Sequence, residues 1–244
     1  MPRIEIILSP ELYESRSLRS GFIPVVVDVL RATTAFCAAF DAGAECILPL
    51  AGLDRLKDLR NEGYLLVAER DGLKVDFADY GNSPTLFLKE NLRGKRLAYS
   101  TTNGTRAIEC VKENGSVSVA AFVNLAAVAS FLSRHNRDVL ILCSGWKNSF
   151  SLEDTVCAGS LATRMTEHGL FSPEGDATVA AMQLWNIARS DIREFCSQGD
   201  HFKRLLKLGL LEDLEHCFQP DTSSFIPVWD GEKFIRGTYQ ESID

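Results

Sequence analysis

At 244 residues, 45% of them hydrophobic, the chain can bury a sizeable core as one large α/β domain or two small ones, with no need of disulfide staples. A formal charge of −7 with no Lys/Arg run argues against general nucleic-acid affinity, and no apolar stretch approaches the length of a membrane span. An acidic chain can still hold an anion, because a local cluster of arginines, helix ends or a metal ion suffices.

Residues 1–10 place Glu5 inside a short apolar run, which predicts a first strand rather than a signal peptide and, with it, a cytoplasmic location. Pro24-Val25-Val26-Val27-Asp28-Val29-Leu30 is β-branched without alternation, as expected of a parallel strand covered on both faces. Arg31-Ala32-Thr33-Thr34 then leads into a helix of small residues closed by Gly43. Residues 46–50 predict another strand, and Leu53, Leu56 and Leu59 an amphipathic helix over 53–62. Residues 64–70 repeat the pattern of an apolar strand ending in charge, at Glu69 and Arg70. The irregular stretch 71–84 is too long for a simple connector and is expected to fold over a site.

Leu97-Ala98-Tyr99-Ser100-Thr101-Thr102-Asn103-Gly104-Thr105-Arg106 is the most informative segment. An apolar run stops at hydroxyls, an amide and a glycine, and a helix begins at once, so the free N–H groups of a helix N-terminus stand beside polar side chains. Such a junction suits a phosphate; the plainer reading is a βα turn capped by Thr102 or Asn103. Further strands are expected over 116–122 and 138–143, the latter running into Ser144-Gly145-Trp146-Lys147, with helices over 125–132 and 155–168. Ser151 and Asp154 resemble a capping box made with aspartate. Residues 176–219 predict mostly helix, and 225–235 a hairpin around Asp230-Gly231. Strands alternating with helices predict a three-layer α/β/α fold with a mainly parallel or mixed central sheet, as one compact unit or two closely packed halves.

In an open parallel sheet the carboxyl ends of the strands share an edge where ligands bind. Convergence there would gather the carboxylates Asp28, Glu69, Glu153 and Asp154 with Arg31, Arg70 and Arg106, and with Thr33, Thr34, Asn82, Ser83, Ser100, Thr101, Thr102, Asn103, Thr105 and Ser144. That mixture suits a phosphate ester held with Mg²⁺, which takes oxygen ligands. The histidines at 135, 168, 201 and 216 fall in expected helices or their ends and are read as ordinary residues. The seven cysteines are scattered, with no CxxC pair, and are read as reduced, mostly buried small hydrophobes. Asp28 followed by Thr33 is similar to aspartyl-phosphate phosphatases of the haloacid dehalogenase type, but those carry a second aspartate where this chain has Leu30. Metal ligation is therefore the expected role of Asp28, with an N-cap as the structural alternative.

Together, Val27-Asp28-Val29-Leu30-Arg31-Ala32-Thr33-Thr34, Glu69-Arg70, Gly81-Asn82-Ser83-Pro84, Ser100-Thr101-Thr102-Asn103-Gly104-Thr105 and Glu153-Asp154 with Ala158-Gly159 resemble, in order, the 2-phosphosulfolactate phosphatase (ComB) family. The resemblance implies a Mg²⁺-dependent acid phosphatase that releases sulfolactate and phosphate, a step in coenzyme M biosynthesis, on an α/β/α fold unlike the better-known phosphatases. On that basis Asp28 and one or more of Glu69, Glu153 and Asp154 are expected to hold Mg²⁺. The 100–105 loop with Gly104 and Arg106 would hold the phosphate, Ser144 and Gly145 would border it, and Arg31 or Arg70 would hold the acid groups. The expected partner is a small anionic phosphoester, with self-assembly into a homo-oligomer left open. A non-catalytic anion-binding protein on the same scaffold is the alternative, while the lack of a P-loop or GxGxxG after any strand disfavours nucleotides.

Overall fold

In the computed structural model, which describes residues 1–15, 21–167 and 169–237, the strands join in one mixed sheet. In chain order they are β1 Arg3–Ile7, β2 Ile23–Val27, β3 Cys46–Pro49, β4 Tyr64–Arg70, β5 Leu73–Lys74, β6 Arg96–Ser100, β7 Ser118–Ala120, β8 Val139–Cys143, β9 Ser172–Glu174, β10 Ile226–Trp229 and β11 Phe234–Gly237. The helices are α1 Pro10–Glu14, α2 Ala32–Asp41, α3 Pro84–Lys89, α4 Gly104–Val111, α5 Leu125–His135, α6 Leu152–Thr166, α7 Asp176–Ala188, α8 Ile192–Cys196, α9 Asp200–Lys207 and α10 Leu211–Cys217. The end of the helix expected over 155–168, His168, lies outside the described residues. Among the described residues no helix is long and apolar enough to cross a membrane.

Alternation along the strands makes the three layers. Val25, Val27, Ile4, Ile6, Val139 and Ile141 pack on one face with Val128 and Leu132 of α5 and Val156 and Leu161 of α6. Val26, Ile7, Leu140 and Leu142 pack on the other with Phe36 and Phe40 of α2 and Ala107 and Ile108 of α4. A strand covered on both faces needs no polar side, which is why 24–30 carries none until Asp28. On the first face Gly159 lets α6 and α7 touch: a Cβ there would stand 2.1 Å from the Ala181 carbonyl oxygen. All seven cysteines are free and all but Cys110 are buried.

The strand order is β5-β4-β6-β3-β11-β10-β7-β2-β8-β1-β9. Within β4-β6-β3 and within β7-β2-β8-β1-β9 neighbours are parallel, whereas the β10–β11 hairpin meets β3, β7 and itself antiparallel. Three antiparallel steps leave the two parallel blocks running in opposite senses, so a single shared carboxyl edge is not what brings their ends together. Sheet twist of roughly 20–25° per step accumulates to roughly 100–125° over the five steps from β6 to β2. The cleft described below takes residues from the ends of both blocks.

The segment over 53–62 forms turns and a 3₁₀ helix at Asp58–Arg60 in place of the expected α-helix. Its apolar residues recur every three positions, the 3₁₀ period, and Leu56 and Leu59 are buried against Leu66 and Ala98. The 71–84 stretch begins with β5 paired to the end of β4, and its Asp71, Gly72 and Asn82 line the cleft described below.

Candidate active site

A small cleft opens between the ends of β2, β4 and β6 and the start of α9. Asp28, Arg31, Glu69, Asp71, Gly72, Asn82, Thr101, Thr102, Asn103, Trp146, Lys147, His201 and Arg204 line it.

Asp28 stands where β2 ends, and the turn after it is braced from within. Thr33 Oγ1 donates to the Asp28 carbonyl (2.8 Å) and accepts from the Asp28 N–H (3.0 Å), while Thr34 Oγ1 donates to the Val29 carbonyl (2.9 Å). Thr33 and Thr34 therefore hold the turn and do not line the cleft. The Ala32 N–H donates to Asp28 Oδ1 (3.3 Å), so Asp28 also serves the start of α2; Oδ2 makes no hydrogen bond within the described residues. Burial pushes the Asp28 carboxyl up to about 6; His201 and the Ala32 N–H oppose this, and Glu69 and Glu153 add to it. Glu69, also buried, accepts the Gly72 N–H on Oε1, and its Oε2 has no partner among the described residues.

Beside Asp28 lies the first turn of α4. A Cβ at Gly104 would stand 2.8 Å from Asp28 Oδ2 and 2.6 Å from the Ala32 Cβ, so only glycine permits this approach. No side chain caps α4, neither Thr102 nor Asn103; both line the cleft instead. Thr105 Oγ1 braces the loop by donating to the Thr101 carbonyl (2.9 Å). Thr101 Oγ1, Asn82 Oδ1 and Arg31 Nε are buried without partners in the wall of the cleft. Gly104→Ala is expected to lower turnover about 10²-fold by displacing the carboxylate, a misplacement near 1 Å having effects of that order. Phosphate release by the purified variant, its fold checked by circular dichroism, measures this.

The other carboxylates sit behind this layer. Asp154 accepts from the Val29 N–H (2.8 Å) and the Gly145 N–H (3.2 Å), tying the end of β2 to the loop after β8. Burial, and then Asp28 and Glu153, push its carboxyl well up, against the Val29 hydrogen bond. Ser151 caps α6 through the Asp154 N–H, but the Asp154 side chain does not return the bond as a capping box would. Glu153 accepts from His201 Nδ1 (2.9 Å) and does not line the cleft. Among the described residues no three His, Cys, Asp or Glu side chains form a closed metal cage.

Several expected contacts lie elsewhere. Arg106 pairs with Glu11 (2.6 Å) and Glu14 (3.6 Å), donates to Asn148 Oδ1 (2.5 Å), and does not line the cleft. Arg70 donates to the Glu69 carbonyl (2.6 Å) and to Ser100 Oγ (2.9 Å), fastening β4 to β6, so neither residue lines the cleft. Ser83 caps α3 and donates to Asp213 Oδ1 (2.6 Å). Ser144 is buried outside the cleft wall, and Gly145 acts through its N–H on Asp154.

The residues that sequence reasoning passed over are Trp146, Lys147, His201, Arg204 and Asp213. His201 stacks on Trp146, with centroids 5.3 Å apart and planes 11° from parallel. It is brought there by α9, 48 positions from its Glu153 partner, and no local spacing signals such a pairing.

A sequence model of the family described as 2-phosphosulpholactate phosphatase matches residues 7–232. A protein of Synechocystis sp. is 41% identical over 225 residues, covering 90% of this chain and 92% of its own length. Others from a Cyanothece sp. (41% over 218 residues, 84% and 87%) and from Prochlorococcus marinus (39% over 225 residues, 88% and 93%) are similar. Each bears the name "Probable 2-phosphosulfolactate phosphatase".

Proposed function

The chain belongs to the 2-phosphosulpholactate phosphatase family, and on that premise we propose that it hydrolyses 2-phosphosulfolactate, or a related 2-phospho-carboxylic acid, to the hydroxy acid and inorganic phosphate. The observation that carries the reading is the placement of the Asp28 carboxylate directly against the uncapped first turn of α4. A cation ligand and an anion cradle there share one small volume.

The donor set fits Mg²⁺. Asp28 Oδ2 and Glu69 Oε2 are hard oxygens with no hydrogen bonds of their own within the described residues, and two buried like charges in one wall call for a cation. Mg²⁺ commonly takes one or two carboxylates, with phosphate oxygens and water completing its shell. When bound, it would offset charge on the phosphoryl and leaving oxygens. Glu153 and Asp154 support this pair from behind, one holding His201 and the other the loops.

The α4 N-terminus with Thr101, Thr102 and Asn103 would receive the remaining phosphoryl oxygens. His201, its Nδ1–H held by Glu153, would in its imidazolium form give the Nε2 proton to the departing alkoxide, a poor leaving group without one. Water oriented by the carboxylates would attack phosphorus from the opposite side. The cytoplasm is the compartment in which reduced cysteines and this substrate are expected together, and the coenzyme M pathway is the expected context.

Phosphate release from 2-phosphosulfolactate, 2-phospholactate and phenyl phosphate, each with Mg²⁺ and with EDTA, tests the reading. EDTA-sensitive release that favours the sulfonated ester is expected. Turnover of the other esters alone would separate the chemistry from coenzyme M, and ester binding without any release would leave an anion-binding protein.

A further inference from the structure

We propose that Lys147 and Arg204, on the rim of the cleft above Arg31, form a second anion site that receives the carboxylate or sulfonate of the substrate and so selects phosphate esters of hydroxy acids over esters of neutral alcohols. This deepens the phosphatase reading and rests on it. The cleft has an acidic end, at Asp28 and Glu69, that would repel a substrate's own acid group, so such a group needs cations elsewhere in the same volume.

Two guanidinium groups are gathered there by adjacent carbonyls. Arg31 Nη2 donates to the Gly72 carbonyl (2.9 Å) and Arg204 Nη2 to the Asp71 carbonyl (2.7 Å). The two acceptors are consecutive carbonyls, so both guanidinium groups are tied to one turn at the cleft, and of the two Arg204 is the less fully answered by a carboxylate. Arg31 is almost wholly buried and its Nε has no partner, while Asp213 answers only Nη1. Arg204 is about one-third exposed, and its nearest carboxylate, Asp71, is 3.7 Å away and open to solvent. Among the described residues only its Nη2 has a hydrogen-bond partner, which leaves most of its five donors to meet a planar or tetrahedral oxyanion.

Lys147 reaches the rim from the loop after β8. It has a left-handed backbone (φ 52°), as does Asn148 (φ 60°), although a lysine gains nothing from that conformation. Its Nζ lies 4.8 Å from the centroid of the Trp146 ring, which is itself stacked on His201. The ammonium is thus seated on a fixed aromatic face at the cleft mouth.

The test compares kcat/KM for 2-phospholactate with that for phenyl phosphate in the unmodified protein, K147M, R204M and the double variant. Charge-assisted hydrogen bonds of this kind are worth about 10- to 100-fold. The ratio of the two values is expected to fall about 10-fold in each single variant and about 100-fold in the double, through KM for the acid-bearing ester. A ratio within twofold of the unmodified protein's in the double variant overturns the proposal. If the unmodified protein releases phosphate from neither of these esters nor from 2-phosphosulfolactate, the hydrolytic reading fails. Calorimetric affinities of the same two esters then decide the anion site on the same ratio.

Discussion

Replacing Asp28 by asparagine is expected to lower kcat/KM by about 10³-fold or more and, at the same time, to make the metal-free protein more stable at pH 7.5. The first effect follows from the loss of one of two carboxylates proposed to hold Mg²⁺, whose Lewis-acid contribution is worth several kcal/mol, about 4 kcal/mol being 10³-fold. The second follows from burial. The folded-state carboxyl titrates at about 6, above the ordinary value of 3.8, so the folded protein binds this proton more tightly than the unfolded chain. Its ionised form therefore costs stability, increasingly as pH rises from about 4 through 6, and the cost is complete above that. Asparagine keeps an Oδ1 for the Ala32 N–H and has no charge to bury. Scanning calorimetry in EDTA should show the variant melting above the unmodified protein at pH 7.5 and the difference closing below pH 4. Added Mg²⁺ should raise the melting temperature of the unmodified protein far more than that of the variant. Near-normal turnover by the variant would remove Asp28 from the metal site, and a lower melting temperature at pH 7.5 would show that the carboxylate is stabilised where it lies.

Much of this arrangement is legible in the sequence because it is local. A β-branched run ending in Asp28 and an apolar run ending in Ser100 to Asn103 mark two strand ends, and the structure puts Asp28, Glu69 and Thr101 to Asn103 in one cleft. Arg106 shows where local reading stops. Its position in the first turn of α4 is compatible with a phosphate, yet its side chain turns to Glu11 and Glu14, some 95 residues earlier, a choice made by the packing of α1 on α4. His201 and Arg204 are hidden for the same reason in reverse: they look like the polar face of an amphipathic helix until α9 is docked over the strand ends. The shared edge expected of a parallel sheet is likewise replaced by two opposed blocks around the β10–β11 hairpin. A terminal hairpin is visible in residues 225–235, but its insertion between β3 and β7 is a long-range pairing that the hairpin itself does not specify.

Asp213→Ala is expected to destabilise the protein by roughly 3–5 kcal/mol, the cost of leaving one partner of a buried ion pair unanswered. The aspartate is 2% exposed and gathers donors from two segments: Arg31 Nη1 (2.9 Å) on Oδ2, and, from the start of α3, Ser83 Oγ (2.6 Å), Thr85 Oγ1 (2.6 Å) and the Thr85 N–H (3.3 Å) on Oδ1. Alanine would leave the buried Arg31 guanidinium without its carboxylate and two half-buried hydroxyls without their acceptor. Against a typical total of about 5–15 kcal/mol the loss is a large fraction, readable as a fall in the urea midpoint. It also gives the Ser83-Pro84 pair a physical meaning: Ser83 caps α3 and, through Asp213, fixes Arg31 in the cleft without lining it. The double variant R31M/D213L separates the two consequences. Removing both charges and filling the space with apolar side chains should restore most of the stability, since a buried pair exchanged for hydrophobic residues is often neutral or better. It should not restore hydrolysis of an acid-bearing ester, because the cation beneath the rim is gone. A double variant as active as the unmodified protein would place Arg31 and Asp213 in the framework alone, and the second anion site would then have to be built by Lys147 and Arg204 without them.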